Sequence, residues 1–257
     1  MTPYLAVAAL AFRRRISSFS ELFGRAALFV IILTAWSRIW GATAFGGFHG
    51  FAPADAVWYL MATEWIVLSI PYVYLEIEAD VRSGNLAYCL QRPGSYAGFQ
   101  LAQAIGLGTA SWIALGIVGF AMALFLTGEW PKVSVPIFVL IAILAWIAIV
   151  ATSVVMVTLG MLAVWTDDAA PCAWVWQKLH FVLGGLMLPL SIYPQWVRDA
   201  AGWTPFPALL GNLTEPLVTG VAPATGMAVL HLALWSAAFV VVLFLVSARA
   251  VRRTQEG

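Results

Sequence analysis

The chain has 257 residues, of which 62% are hydrophobic and 10% are charged, and its formal net charge is +1. A soluble globular domain carries about 25% charged residues, so this composition excludes that class and indicates an integral membrane protein. Because the net charge is close to zero, no long-range field would recruit nucleic acid, and we expect no nucleic-acid partner.

The chain begins with a short segment that mixes apolar and polar residues and contains the cluster Arg13-Arg14-Arg15. This pattern predicts an amphipathic helix within residues 1–22 that lies in the membrane interface, with its arginines facing lipid headgroups. Longer apolar stretches follow, and a bilayer core of about 30 Å requires roughly 20 apolar residues per helix. We expect six membrane spans, over residues 25–45, 56–76, 98–127, 134–165, 175–193 and 225–248.

The distribution of lysine and arginine predicts the orientation of these spans. If the N-terminus is cytoplasmic, most of the arginines fall in the inside segments, whereas the outside segments contain only Lys132 and Arg198. Cytoplasmic loops carry an excess of basic residues, so both termini are predicted to be cytoplasmic. We treat residues 1–257 as one all-α integral membrane domain.

Two connections between spans are unusual. Residues 77–96, between the second and third spans, form a polar break in an otherwise apolar chain, and such a segment lies in water where another protein can contact it. Residues 194–224, on the opposite side of the membrane, contain repeated prolines that oppose a continuous span. Short re-entrant or interfacial helices are expected in this extracytoplasmic segment.

Polar side chains inside the predicted spans are candidates for a transport pathway, because burying them in a membrane is costly. Glu64 lies near the middle of the second span and can pair with Arg38 or line a pathway. Structural alternatives remain open for the others: Gln103 and His180 can form contacts between packed helices, and Lys178 can extend to the lipid headgroups.

The chain lacks the common signatures of catalysis. It contains no G-x-x-x-x-G-K-[ST] loop for ATP, no H-E-x-x-H motif, no paired Cys/His cluster and no G-x-S-x-G motif. We therefore predict no enzyme activity, no catalytic residue, no metal site and no cofactor bound by this chain. Any energy for work would come from a partner.

Two motifs carry a resemblance to a known family. The first runs Glu78-x-x-x-x-x-Gly84-x-Leu86-x-x-x-Leu90-x-Arg92-Pro93. The second comprises Gly184-Gly185, Pro189-Leu190, Tyr193-Pro194, Trp196, Pro205-Phe206-Pro207, Glu215-Pro216 and Gly220. With the N-terminal helix and six spans, they resemble the membrane subunit of a type-2 ATP-binding-cassette (ABC) exporter. The resemblance is to a bacterial subgroup usually encoded beside a second, related permease and an ATPase.

The resemblance implies that two permeases pair across a central pathway, with ATPase subunits that hold ATP and Mg docked beneath them. The second permease is expected to be a related chain, with an identical chain as the alternative. Residues near 77–92 would form a coupling helix that contacts the ATPase, although an ordinary solvated loop remains the alternative. The residues expected to carry coupling are Glu78, Asp80, Val81, Arg82, Gly84, Leu86 and Arg92.

Each of these residue types suits such a contact. The charged side chains can form polar contacts, Val81 and Leu86 can fill an apolar pocket, and Gly84 can end a short helix. Asp167 and Asp168, at the inner end of the fourth span, are candidates for a second contact. The small residues Ala102, Gly106 and Ala110 share a helix face that fits either packing within the chain or a contact between two permeases.

The expected function is ATP-driven export of an amphipathic or hydrophobic small molecule, such as a drug, across the cytoplasmic (inner) membrane of a bacterium. One alternative is an energy-independent channel or secondary transporter, although no inverted repeat or buried ion site is evident. Others are a membrane-embedded lipid enzyme, which would need a convergent catalytic constellation, and a non-transporting assembly factor.

Overall fold

The structure is a computed structural model that describes residues 3–42, 52–91, 93–220 and 225–256. Within these ranges the regular structure is helical and includes no β-strand. The helices are α1 (Pro3–Ser17), α2 (Phe19–Ala42), α3 (Pro53–Ser69), α4 (Tyr74–Arg82), α5 (Asn85–Cys89), α6 (Tyr96–Thr127), α7 (Val135–Thr166), α8 (Ala170–Leu183), α9 (Gln195–Gly202), α10 (Phe206–Leu209), α11 (Gly211–Thr214), α12 (Pro216–Thr219) and α13 (Thr225–Glu256).

Five stretches of the described chain are long and apolar enough to cross a membrane. They are Phe19–Ile39, Pro53–Arg82, Tyr96–Thr127, Val135–Thr166 and Gly226–Thr254. These stretches correspond to predicted spans one, two, three, four and six; residues 43–45 of the first lie outside the described residues. The predicted class, an all-α integral membrane protein, is confirmed.

The second predicted span, 56–76, is not one continuous helix. α3 ends at Ser69, and α4 begins at Tyr74. Pro71 explains the break, because proline lacks an N–H and forces the preceding residue into an extended conformation. Ile70 accordingly has φ −67° and ψ 126°. We call residues 70–73 the first break.

The fifth predicted span, 175–193, is wrong in its bounds, because α8 has only 14 residues and ends at Leu183. Gly185 adopts φ +74°, a conformation that glycine reaches without steric cost. The N–H of Leu186 donates to the carbonyl of Phe181 at 3.0 Å, which is the hydrogen bond of a Schellman cap. We call residues 184–189 the second break.

The segment after α8 divides into an exposed and a buried part. α9 carries the exposed Trp196, whereas α10, α11 and α12 are buried and pack against α3, α7, α8 or α13. Leu209 and Leu213 belong to one apolar cluster with Ala148 and Ala151 in the middle of α7. The three short helices therefore pack into the helical bundle, and their re-entrant or interfacial position in the membrane stays a prediction. Residues 221–224 of the predicted extracytoplasmic segment lie outside the described residues.

α1 packs along the N-terminal half of α6. A Cβ at Gly106 would lie 2.1 Å from the carbonyl oxygen of Ala8, so glycine is required for this close approach. Tyr4 packs on Phe99 nearby, with ring centroids 4.8 Å apart. The small-residue face that includes Gly106 is thus used for packing within the chain at this point.

One arginine of the N-terminal cluster departs from expectation. Arg13 and Arg14 are exposed, but Arg15 is only 4% exposed and forms an ion pair with Glu21. Arg15 follows Ala11 by four residues, so both lie on the helix face that is buried. The expectation that all three arginines face lipid headgroups is therefore wrong for Arg15.

Candidate functional site

The candidate site is the polar segment formed by α4 and α5. The two helices meet at Gly84, which has φ +73° and terminates α4 by reversing the local backbone twist. A Cβ at this position would meet no atom within 4 Å, so glycine is favoured here by the backbone conformation and not by a lack of space. Arg92 of the predicted coupling residues lies outside the described residues.

Glu78 and Arg82 connect α4 to the loop between α7 and α8. Glu78, only 7% exposed, accepts a hydrogen bond from the backbone N–H of Ala169 at 3.0 Å and pairs with Arg82 at 3.0 Å. Arg82 donates from Nε to the carbonyl oxygen of Asp167 at 2.7 Å and lies 3.7 Å from the carboxylate of Asp168. The structure therefore brings the two predicted coupling sites together.

The polarity of these contacts matches the helix ends. The Glu78 carboxylate lies at the N-terminus of α8, where backbone N–H groups carry partial positive charge. The Arg82 guanidinium lies at the C-terminus of α7, where carbonyl groups carry partial negative charge. Each helix end is thus stabilised by a side chain of α4, and a displacement of α4 would act on both.

Asp80 connects α4 to the two helices that follow it. Its carboxylate accepts from the Tyr96 hydroxyl at 2.6 Å and from the Asn85 amide at 2.7 Å. Tyr96 opens α6 and Asn85 opens α5. Asp80 is consequently occupied within the chain, which leaves it less free for a partner than the sequence suggested.

The apolar side chains of the segment also differ from expectation. Leu86 is buried in the same cluster as Ile77 and Tyr96, so it cannot fill a pocket on another protein. Val81 is half-buried against that cluster. Tyr88, which the sequence reasoning did not single out, lies on α5 and is 65% exposed. α5 has five residues, too few for a hydrophobic pattern to show which side faces outward.

Glu64 and Arg38 do not form the ion pair that the sequence allowed. Glu64 is buried on α3, and it makes no hydrogen bond or ion pair to any residue that the structure describes. Arg38 is exposed on α2. Gln103 instead donates to the carboxylate of Glu76, at the start of α4.

His180 lies in an aromatic cavity of about 450 Å³ between the first break, α7 and α8. The ring is buried and stacks on Phe206, with centroids 6.0 Å apart. Its Nε2 atom has no hydrogen-bond partner among the described residues. Lys178, on the exposed side of the same helix, lies over the rings of Trp174 and Phe181.

The candidate pathway residues are therefore distributed rather than clustered. No hydrogen bond or ion pair joins any two of Arg38, Glu64, Gln103, Lys178 and His180 within the part of the chain that the structure describes. The same part contains no group of three or more His, Cys, Asp and Glu side chains that could hold a metal ion.

The helical bundle and its membrane-length helices define a multi-pass membrane protein. A family model described as "ABC-2 family transporter protein" matches residues 22–256, and the chain belongs to this family. It is thus a membrane permease subunit of an ABC transporter, a class that works with ATPase partners. No curated protein matches the chain.

Proposed function

We propose that this permease exports an amphipathic small molecule across a bacterial inner membrane, together with a second permease and driven by a docked ATPase. The observation that carries the proposal is the connection made by Glu78 and Arg82. These residues couple α4 to the end of α7 and to the start of α8. α7 and α8 also line the aromatic cavity, so one contact network joins the polar segment to a volume that can hold cargo.

In this mechanism the ATPase contacts the exposed surface of α5, with Tyr88 as the central residue. Exposed aromatic side chains are frequent energetic centres of protein interfaces, because they bury a large area with little loss of side-chain entropy. ATP binding in the partner would displace α4 and α5, and the Glu78–Arg82 pair would transmit that displacement to α7 and α8.

The cavity supports an amphipathic cargo. Its lining is mostly apolar and aromatic, including Trp174 and Phe181, and its polar groups include Asp168, Gln177 and His180. Such a site favours a flat or apolar molecule with a few hydrogen-bonding groups. Transport requires the cavity to bind this cargo differently before and after α8 moves.

The proposal is tested with Tyr88→Ala in the tagged permease, expressed with its neighbouring ATPase and permease genes. We expect about a 30-fold loss of ATPase affinity, since removing a central interface aromatic costs about 2 kcal/mol. Membrane insertion should not change, because the side chain is exposed. The matched control is Trp203→Ala, an exposed aromatic (87%) just after α9. It should leave ATPase recovery unchanged.

A second variant separates docking from transmission. Arg82→Met should retain the ATPase in a pull-down but abolish the stimulation of ATP hydrolysis by cargo, since the contact with the α7–α8 loop is lost. Recovery of Tyr88→Ala with undiminished ATPase and normal efflux would contradict the coupling assignment. Recovery of the wild-type permease alone, without ATP hydrolysis, would favour a channel or secondary transporter.

A further inference from the structure

A second cavity, of about 240 Å³, lies where α1 ends and α2 begins. Its lining includes three arginines, Arg14, Arg15 and Arg25, together with Ser18 and Glu21. The first break and the start of α4 form the opposite wall. This cavity shares Tyr72 with the aromatic cavity beside α8, but the proposed coupling mechanism does not use its arginines.

Arg15 has hydrogen-bonding capacity that the described chain does not use. The side chain is buried, and its Nε atom makes no hydrogen bond to a described residue, whereas its Nη1 atom forms the ion pair with Glu21. A buried donor without an acceptor costs free energy. Arg25 is different, because its Nη1 atom donates to the carbonyl oxygens of Leu68 and Ile70.

The charge of the cavity favours an anion. Three guanidinium groups face two carboxylates, those of Glu21 and Glu76. Glu76 is engaged by the amide of Gln103, and Glu21 is more than half exposed. Guanidinium groups bind phosphate oxygens with paired, charge-assisted hydrogen bonds, so a phosphate is the anion that best matches arginine donors.

The surroundings of the cavity indicate where that phosphate comes from. Ile16, Phe19 and Phe23 are exposed apolar residues on the same helix junction. The rings of Phe19 and Phe23 stack with centroids 5.7 Å apart. They stand at the start of a membrane-length helix, where an acyl chain can lie along them while its headgroup reaches the arginines.

We propose that the α1–α2 junction binds the phosphate of an anionic phospholipid, with Arg14 and Arg15 as donors and Phe19 and Phe23 against the acyl chain. The bound lipid would supply acceptors for the buried guanidinium of Arg15. It would also hold α1 and α2 against the first break, where Arg25 already makes contact.

The experiment measures lipid binding to the full-length protein in neutral detergent by native mass spectrometry. Phosphatidylglycerol and phosphatidylcholine with the same acyl chains are the probes, and inorganic phosphate is the competitor. We expect Arg14→Gln to weaken phosphatidylglycerol binding by about tenfold, the loss of one charge-assisted contact. Arg13→Gln is the matched control, because it removes the same charge from an adjacent exposed residue that does not line the cavity.

A further variant tests the role of Arg15 without removing it. Glu21→Gln should increase phosphatidylglycerol affinity, because it removes the carboxylate that competes for the Arg15 guanidinium. Equal losses in Arg13→Gln and Arg14→Gln would overturn the proposal in favour of a nonspecific basic surface. Equal binding of both lipids, with displacement by millimolar inorganic phosphate, would overturn the lipid assignment and leave free phosphate as the ligand.

Discussion

Both breaks leave backbone carbonyl groups without helical donors, but different kinds of side chain donate to them. In the first break, carbonyl groups at the end of α3 lose their helical donors, and Arg25 of α2 donates to Leu68 at 2.5 Å and to Ile70 at 3.2 Å. A charged side chain from another helix thus replaces the missing backbone N–H groups.

In the second break, neutral hydroxyl groups take this role. Thr63 of α3 donates to the carbonyl of Leu186 at 2.7 Å, and Tyr59 donates to the carbonyl of Gly185. Both side chains are fully buried. Backbone that is not helical is tolerated at membrane depth only when its polar groups are satisfied inside the protein.

The difference reflects the surroundings of each break. Arg25 lies 3.6 Å from the carboxylate of Glu21 and lines an open cavity, so its charge has a countercharge nearby and is partly accessible to solvent. The second break is enclosed by α10 and α11, where desolvation would cost much more for an ion than for a hydroxyl. In this protein the break beside a countercharge has a charged donor, and the enclosed break has neutral donors.

The largest expected effect comes from removing the charged donor, Arg25, of the first break. Arg25→Met should lower the free energy of unfolding by about 2–4 kcal/mol, because two part-buried carbonyl groups lose their donor. Both bonds come from the single Nη1 atom of Arg25, so Arg25→Lys should recover part of this loss, limited by the shorter reach of the ammonium. The measurement is unfolding in mixed micelles, and a loss below about 0.5 kcal/mol in Arg25→Met would contradict this role.

The role of the neutral hydroxyl donors in the second break is tested with Thr63→Val. Loss of the hydroxyl leaves the Leu186 carbonyl unpaired and should cost about 1–2 kcal/mol in the same unfolding assay. Thr152→Val is the matched control: Thr152 is equally buried, but its hydroxyl bonds only to the carbonyl of Ala148 in its own helix. If both variants lose the same stability, the hydroxyl is not needed to satisfy the second break.

The smallest expected effect is a difference between two glycine-to-alanine variants, which distinguishes the cost of backbone strain from the cost of steric crowding. Gly84 and Gly185 have nearly equal φ angles, +73° and +74°, so alanine at either site carries the same strain of about 1 kcal/mol. At Gly185 the new Cβ would also lie 3.0 Å from the Leu188 carbonyl oxygen and 3.1 Å from the Tyr59 hydroxyl. Gly185→Ala should therefore destabilise by about 1 kcal/mol more than Gly84→Ala. Equal losses of stability would mean that the second break can shift without cost.

Much of the architecture was predictable because it depends on local composition. Long apolar runs must be helical in a bilayer, where every backbone polar group needs an internal partner, and this reasoning anticipated α2, α6, α7 and α13. The polar break at residues 77–96 and the effect of Gly84 are local signals of the same kind. The fifth span failed because apolar composition continues beyond Leu183, whereas the helix does not.

What the sequence alone determined is the membrane class, the order of the helices and the position of the polar segment, since these follow from hydropathy and from backbone preferences over short distances. Only the tertiary structure decided which side chains are available to a partner. Glu78 and Leu86 are buried by contacts from elsewhere in the chain, whereas Tyr88 remains exposed. The donors Arg25, Tyr59 and Thr63 serve carbonyls distant in sequence, a pairing set by helix packing that no local pattern encodes.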